Sequence, residues 1–225
     1  MLKIYTLEEI EKLNPEPVIP PTVAEMTDNF VKSNPGVKIL LQSTILKNGK
    51  TFAKTCFDRA VVSKGDLDPK TGDFIPPTEF KSFEEIFGDL SDYTAVGEIF
   101  LNRVNLNSLK GFPQKFVGAT IHLRENPDLK TLEHLSKDIQ TFPEMEGEGV
   151  TLNVNWTGLE TGDFVSEDQL QNIDLLKCQR VNEDLFTIEE AVKLTAPLRK
   201  KYGNFENVET EWEPEELEEV YQKLK

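Results

Sequence analysis

The residues best suited to chemistry in this sequence are two histidines and two cysteines. Neither His122 nor His134 has a cysteine or another histidine at metal-ligand spacing, so the sequence predicts no zinc site. His122 stands between Ile121 and Leu123 in a predicted strand. Because successive strand side chains point to opposite faces, we expect its imidazole to face solvent.

The cysteines, Cys56 and Cys178, are expected to be inert thiols in a reducing cytoplasm. The chain opens with an amphipathic helix start and shows no long apolar stretch or small-residue cleavage site, which predicts a protein that is not exported. A disulfide between the two cysteines is the alternative. Cys56 falls in a predicted apolar strand, where a thiol is unreactive.

A faint calcium-loop pattern occurs at Asp66 and Asp68, followed by Gly72 and Asp73. Gly72 falls one position late, and Pro77 occupies the twelfth position, where calcium loops need a bidentate glutamate. The stretch is therefore predicted to be a solvated turn.

Catalytic patterns are also absent from the sequence. There is no Gly-x-Ser-x-Gly, and Gly147-Glu148-Gly149 is acidic and would repel phosphate. Glu144 and Glu146 lack a nearby histidine or arginine that would support acid–base chemistry, so a solvated loop is predicted. We therefore expect a protein without catalytic, cofactor-binding or metal-binding residues.

Acidity is the dominant bulk property. The 225 residues carry a formal net charge of −15, and the mean hydropathy is −0.42. Such a surface repels phosphate backbones, which disfavours direct binding of nucleic acid, and no apolar run is long enough for a membrane span. The acidity serves either solubility or attraction to a basic partner, including a protein whose nucleic-acid ligand this chain imitates.

Two helices and a hairpin are predicted in the first third. Thr6 with Glu9, and Thr22 with Glu25, form capping boxes that open the helices. Branched apolar residues in Val37–Leu46 and Thr51–Val62 flank Asn48-Gly49, a pair that favours a type I′ turn, so we expect an antiparallel hairpin. The turn-forming residues 64–77 predict a boundary.

A short pattern recurs in the middle third: an apolar residue, any residue, usually Ser or Thr, and a second apolar residue. Its copies are Phe80-Lys-Ser-Phe83, Leu106-Asn-Ser-Leu109, Leu129-Lys-Thr-Leu132 and Trp156-Thr-Gly-Leu159. Their starts are 26, 23 and 27 residues apart, which matches one coil of a leucine-rich solenoid. The first copy equally fits an amphipathic helix, which we favour there.

Short alternating stretches precede three of the copies and predict strands around Ile99, Ile121 and Leu152. Asn126 and Asn155 follow the second and third of these strands. We expect both asparagines to satisfy backbone groups at the turns.

Residues 96–139 carry a family resemblance. Asn126-Pro-Asp-Leu-Lys-Thr-Leu-Glu133 and Leu106-Asn-Ser-Leu-Lys-Gly-Phe-Pro113, together with Val96-Gly97 and Val117-Gly118, resemble the leucine-rich repeats of tailed-bacteriophage proteins. Those proteins place Val-Gly before each strand. The resemblance implies a phage origin, and size and acidity are similar to those of the T4-type inhibitors of the prohead protease. No functional residue is carried over from that family.

The last third is predicted to be helical. Thr187 with Glu190 forms another capping box, Pro197 kinks or ends the helix that follows, and Pro214 suits the first position of a terminal helix. The stretch 206–219 holds eight glutamates and no basic residue, which indicates either a solvated face or a ligand mimic.

Together these patterns predict a mixed α+β fold: N-terminal helices and an antiparallel hairpin in residues 1–77, a short leucine-rich-like solenoid in 78–165, and C-terminal helices in 166–225. We expect a non-catalytic phage protein that binds and inhibits or regulates another protein. The partner would be a viral protease or a host protein, with a basic surface favoured. The protein would act in the cytoplasm of the infected cell or in association with the virion. The alternatives are an acidic nucleic-acid mimic that blocks a host DNA-binding protein and a structural or assembly component of the virion.

The candidate protein-binding residues lie on two surfaces. The outward face of the middle strands contributes His122 and Arg124, and the C-terminal region contributes Phe186, Trp212, Glu215, Glu216 and Glu219. Phe186 and Trp212 are aromatic residues in polar surroundings, so they either anchor a partner or pack the terminal helices.

Overall fold

The computed structural model describes residues 20–41, 52–55, 59–62, 79–145, 148–159, 173–178, 187–203 and 208–225. Its helices are α1 (Val23–Ser33), α2 (Phe83–Phe87), α3 (Ile188–Tyr202) and α4 (Pro214–Leu224). Its strands are β1 (Ile39–Leu41), β2 (Phe52–Thr55), β3 (Arg59–Val62), β4 (Lys81–Ser82), β5 (Thr94–Phe100), β6 (Leu106–Ser108), β7 (Lys115–His122), β8 (Asp138–Gln140), β9 (Val150–Asn153), β10 (Ile173–Lys177) and β11 (Val208–Glu209).

A seven-stranded sheet dominates the molecule. Its strand order is β1-β5-β7-β9-β10-β11, and β8 pairs with the first half of β7 while β9 pairs with the second half. Every pairing described in this sheet is parallel. A second, two-stranded parallel sheet joins β4 to β6.

The predicted α+β fold, with an antiparallel hairpin followed by a solenoid, is therefore wrong. The mostly parallel sheet with its helices makes an α/β-type fold. Strand β1 pairs in parallel with β5, so that Ile39 stands opposite Thr94. Apolar patterning indicates that a segment is a strand, but it contains no information on the partner strand or its direction.

An antiparallel pair does exist, but it differs from the predicted one. Strands β2 and β3 pair with each other, with Phe52 opposite Val62, so both lie within the segment that was predicted to be a single return strand. The predicted turn at Asn48-Gly49 lies outside the described residues, as do Cys56, the loop at 64–77 and the helix predicted from Thr6.

The main core lies on one face of the large sheet. Inward-facing residues of β5, β7 and β9 supply Ile99, Ile121 and Leu152, which are all fully buried. The apolar positions of the repeated pattern are buried in the same core, apart from the exposed Phe80 and the half-buried Trp156. The first copy ends at Phe83, where helix α2 begins, and Ser82 with Glu85 caps this helix, while Lys81 and Ser82 form strand β4.

Helix α1 covers the opposite face of the sheet at the first half of β5 and β7. Its Met26 packs with Val96 and Val117 in a separate small cluster. The two Val-Gly pairs therefore lie inside the strands rather than before them, and Gly97 stands opposite Gly118. A Cβ on Gly118 would lie 1.9 Å from the carbonyl oxygen of Gly97, so this close approach of the strands requires glycine.

The C-terminal helices close the other end of the core. The predicted capping boxes of α1 and α3 are confirmed, and Pro214 occupies the first turn of α4 as expected. Pro197 lies inside α3, which continues to Tyr202. Arg199 of α3 holds Glu218 of α4 with two hydrogen bonds of 2.7 and 2.8 Å, which fastens the two helices together.

No helix among the described residues has the length and apolar content needed to cross a bilayer.

Candidate functional site

Three stacked turns follow the carboxyl ends of β5, β7 and β9. The amide of Arg103 donates to the carbonyl of Arg124 at 3.2 Å, and the amide of Glu125 donates to the carbonyl of Asn155 at 2.9 Å. These bonds continue the parallel ladder beyond the strands and place Arg103, Glu125 and Trp156 at equivalent positions.

Each of these three residues adopts a left-handed backbone conformation, with φ of 56° for Arg103, 59° for Glu125 and 56° for Trp156. An L-residue in this conformation places its Cβ too close to the following carbonyl oxygen, which costs about 1–2 kcal/mol. Glycine would avoid that cost. Bulky side chains at three equivalent strained positions indicate that the side chains themselves have a use.

Buried asparagines hold the turns in place. Asn126 accepts hydrogen bonds from the amides of Val104 and Leu106 at 3.2 and 3.1 Å, and its own amide donates to the carbonyls of Leu101 and Leu123 at 2.8 and 2.6 Å. The predicted backbone role of Asn126 is thus confirmed.

Asn155 does not play the same part in the next turn. Since Glu125 aligns with Trp156, the residue that aligns with Asn126 is Thr157, not Asn155. The hydroxyl of Thr157 donates to the carbonyl of Val154 at 2.8 Å. The carboxamide oxygen of Asn155 is buried and accepts no hydrogen bond from a described residue.

The side chains of the turns form a charged cluster. Glu125 receives hydrogen bonds from the guanidinium of Arg103 and from Nε of Arg124, the latter at 3.0 Å. Burial opposes ionisation of Glu125, but the hydrogen bonds and positive charges of the two arginines outweigh it and hold the pKa of this carboxyl below its usual value. The carboxylate is therefore ionised at neutral pH.

Aromatic rings border the charged cluster. The guanidinium carbon of Arg124 lies 5.6 Å from the centre of the Trp156 ring, a cation–π arrangement. On the neighbouring strands, the rings of Phe100 and His122 stack with their centres 4.5 Å apart. His122 is half-buried and Phe100 is buried.

We call this set of residues the strand-end patch; it consists of Phe100, Arg103, His122, Arg124, Glu125 and Trp156. Tryptophan and arginine are the residue types that most often dominate the free energy of protein–protein binding. The patch can supply charge-assisted hydrogen bonds from its guanidinium groups and contact with aromatic rings. Among the described parts of the chain, no group of three or more His, Cys, Asp or Glu side chains is placed to hold a metal ion.

The structure brings together two of the predicted site residues, His122 and Arg124, within this patch. Trp212 lies elsewhere and packs against the main core, with its backbone amide donating to the hydroxyl of Thr210 at 3.1 Å, in agreement with the packing alternative. Phe186 lies outside the described residues.

The predicted glutamates line the exposed side of α4. Glu216 is used in the capping of this helix, since its carboxylate accepts the amide of Glu213 at 3.1 Å. Glu219 pairs with Lys223 one turn later, at 2.5 Å. Glu215 is exposed in the first turn.

Four members of the patch were missed from the sequence: Phe100, Arg103, Glu125 and Trp156. Trp156 was assigned to a copy of the apolar repeat, although the structure places it at the turn before the buried Thr157. The asparagine predicted at the turn after a strand could have located part of the patch, because Glu125 immediately precedes Asn126.

Comparisons of this chain with protein-family models, with curated proteins and with solved structures find no match.

Proposed function

We propose that this protein is a non-catalytic, phage-encoded binding protein that inhibits or regulates another protein, such as a prohead protease or a host protein, in the infected cell. The strand-end patch is its contact surface. The observation that carries the proposal is the set of three strained, bulky residues, Arg103, Glu125 and Trp156, at equivalent turns.

The backbone strain at these three residues supports a binding role, because side chains that lower the stability of the fold need another function to account for them. These three side chains lie outside the buried core clusters, and the turns at Arg103 and Glu125 are held by the buried Asn126 and by backbone hydrogen bonds. Side chains retained at a cost to folding, on an exposed edge and rich in arginine and tryptophan, are typical of a surface that contacts a partner.

The acidic C-terminal stretch is a weaker candidate for the contact surface. Several of its carboxylates are engaged within the protein: Glu209 with Lys177, Glu218 with Arg199, and Glu219 with Lys223. A nucleic-acid mimic needs a regular array of carboxylates that a DNA-binding protein can reach. Internal pairing of these three glutamates leaves an irregular array.

Affinity capture with matched variants tests the proposal. Tagged wild-type protein, Trp156→Gly and Phe80→Ala would be exposed to lysate of the cells in which the gene is naturally expressed, and the retained proteins would be quantified by mass spectrometry. Phe80 is an exposed aromatic residue outside the patch, so its variant controls for loss of a surface ring.

We expect a partner that is retained by wild type and Phe80→Ala and reduced about tenfold or more with Trp156→Gly, as for a binding hot spot. Thermal unfolding of each variant verifies that it is folded. A partner captured equally by all three proteins would contradict a role for the patch, and a chemical product formed from a captured partner would contradict the non-catalytic assignment.

A further inference from the structure

We infer that helix α1 is an autoinhibitory cover of the large sheet: it detaches while the sheet stays folded, and the surface beneath it binds an amphipathic helix of a partner protein. That surface consists of Val96 on β5, Val117 on β7 and Phe142 after β8, and we call it the covered strip. It lies in the first halves of β5 and β7, whereas the strand-end patch lies at their carboxyl ends, so it is independent of the proposed function.

The apolar contacts of α1 belong to a small cluster of their own. Met26 packs on the covered strip, and among the described residues this cluster is distinct from the main core. Met26 is the one buried residue of α1, while Val23 and Phe30 on the same face are half-buried. Detachment of α1 therefore exposes the covered strip and leaves the described packing of the main core in place.

Polar contacts do not fasten α1 to the sheet. The hydroxyl of Thr27 lies beside Gly97, but it donates to the carbonyl of Val23 in its own helix at 2.7 Å. The capping box joins Thr22 to Glu25 within the first turn. In the part of the chain that the structure describes, no hydrogen bond or ion pair joins α1 to a strand, so only apolar contact has to be broken when α1 leaves.

Helix α4 provides the comparison. It has the same length as α1, 11 residues, and it also has one buried residue, Leu217. However, Leu217 belongs to the main core, and Glu218 accepts two hydrogen bonds from Arg199 of α3. Detachment of α4 would therefore open the main core, whereas detachment of α1 would not.

An exposed turn connects α1 to β1. Pro35, Gly36 and Val37 are exposed, and a Cβ added to Gly36 would have no neighbour within 4 Å. Such a turn can change its backbone angles without loss of packing, as hinge residues do. Helix α1 can therefore leave while β1 stays paired with β5, and an isolated helix of this length is marginal in water, so α1 unfolds as it detaches.

The covered strip fits a helix. A Cβ on Gly97 would lie only 3.0 Å from the hydroxyl oxygen of Thr27, so the glycine lets a helix approach the strands closely. Helix α1 itself shows the pattern that fits, with apolar residues at the spacing of Val23, Met26 and Phe30. Amphipathic helices with such anchors are a common ligand of apolar surfaces. A partner helix with this spacing would have to displace α1.

Amide hydrogen exchange of the full-length protein tests the detachment. We expect the amides of α1 to exchange at least about tenfold faster than those of β5 and β7, because α1 opens without the sheet. Met26→Ala should speed exchange in α1 by about a further tenfold and leave β9 and β10 unchanged. Leu217→Ala is the matched control, and it should speed exchange in β9 and β10 as well because Leu217 belongs to the main core.

A helix supplied in trans tests the binding. The probe is a fluorescent synthetic peptide with the sequence of residues 20–34, titrated into full-length wild-type protein and full-length Met26→Asp. Aspartate at position 26 would bury a charge, so α1 of this variant leaves the covered strip open. We expect the peptide to bind Met26→Asp about tenfold or more tightly than wild type, because few wild-type molecules are open. A peptide that itself carries Met26→Asp should not bind.

Several results would contradict this role of α1. They are exchange in α1 as slow as in β5, loss of the whole fold in Met26→Asp by circular dichroism, and exchange in β9 and β10 that Met26→Ala and Leu217→Ala speed equally. Peptide binding that is equal for the two proteins, or absent from both, would also contradict it. A wild-type dimer in light scattering would make a second copy of the chain the occupant and overturn the assignment to a partner.

Discussion

Replacement of Trp156 by glycine separates the contribution of this residue to folding from its contribution to binding. Its left-handed φ of 56° means that glycine relieves about 1–2 kcal/mol of backbone strain. Two effects oppose this gain. The greater freedom of glycine in the unfolded chain destabilises the fold by about 0.5–1 kcal/mol, and loss of the cation–π contact with Arg124 destabilises it by a similar amount.

Removal of the half-buried ring adds a further destabilisation of about 1–2 kcal/mol from lost apolar burial. The losses exceed the gain, so we expect Trp156→Gly to lower the free energy of unfolding by about 1.5 kcal/mol, and by no more than about 3 kcal/mol. Truncation of the fully buried Leu123 to alanine should cost about 2–5 kcal/mol. Urea unfolding followed by circular dichroism measures both values.

Trp156→Ala provides the internal control. Alanine loses the same ring as glycine does but keeps the strained Cβ, so Trp156→Ala should be less stable than Trp156→Gly by about 0.5–1 kcal/mol. Both variants should lose the partner in affinity capture. If the alanine variant were equally or more stable, the assignment of strain at this turn would be refuted, and with it the reason for regarding the side chain as functional.

The remaining predictions concern the turns, the sheet and two titratable groups. Asn126→Ala should lower the free energy of unfolding by about 3 kcal/mol or more, because buried amides and carbonyls lose their partner; a loss under about 1 kcal/mol in urea unfolding would contradict this. Gly118→Ala should lower the free energy of unfolding by at least about 2 kcal/mol in the same assay, because the new Cβ meets the backbone of Gly97. An unchanged unfolding midpoint would be incompatible with the close approach of the strands. The pKa of Glu125 is lower in the folded state, so its ionised form stabilises the fold above about pH 4.5, and that contribution disappears as the pH falls through the folded-state pKa. Glu125→Gln should flatten the dependence of stability on pH below about 4.5, and an identical profile would count against the ion pairs. Burial raises the pKa of the Cys178 thiol to about 12. In a Cys56→Ser variant, a thiol reagent at pH 8 should therefore modify Cys178 only after denaturation. Rapid modification of the native variant would show that the thiol is accessible.

Local signals in the sequence were reliable where short-range chemistry decides the structure. The capping boxes at Thr22 and Thr187 open helices as predicted, because the hydroxyl and the glutamate three residues later satisfy backbone groups within one turn. The repeated apolar pattern likewise identified core residues such as Leu109 and Leu132.

Long-range pairing was not predictable from the same signals. The segment that contains β1 shows a strong strand pattern, but its partner, β5, begins more than fifty residues later in the chain, at Thr94. The hairpin signal nearby predicted an antiparallel partner for this segment, whereas β1 pairs in parallel with β5.

Only two of the six residues of the strand-end patch were predicted, for a similar reason. Alternation along β7 placed His122 on the face opposite the buried Ile121 and Leu123, but its ring is half-buried against Phe100 rather than turned to solvent. The left-handed positions at Arg103, Glu125 and Trp156 have residue types that do not indicate a positive φ. Glycine or asparagine would have indicated them. Their equivalence becomes visible only when the three turns are stacked.

The most direct test of the central claim is contact between the strand-end patch and the partner. A photoreactive benzoyl-phenylalanine placed at position 156, and in a control protein at position 80, would be activated in lysate that contains the partner. We predict that the partner cross-links from position 156 and not from position 80. Cross-linking from position 80 alone, or from α4 through a probe at position 215 but not from position 156, would contradict the claim that the strand-end patch is the binding surface.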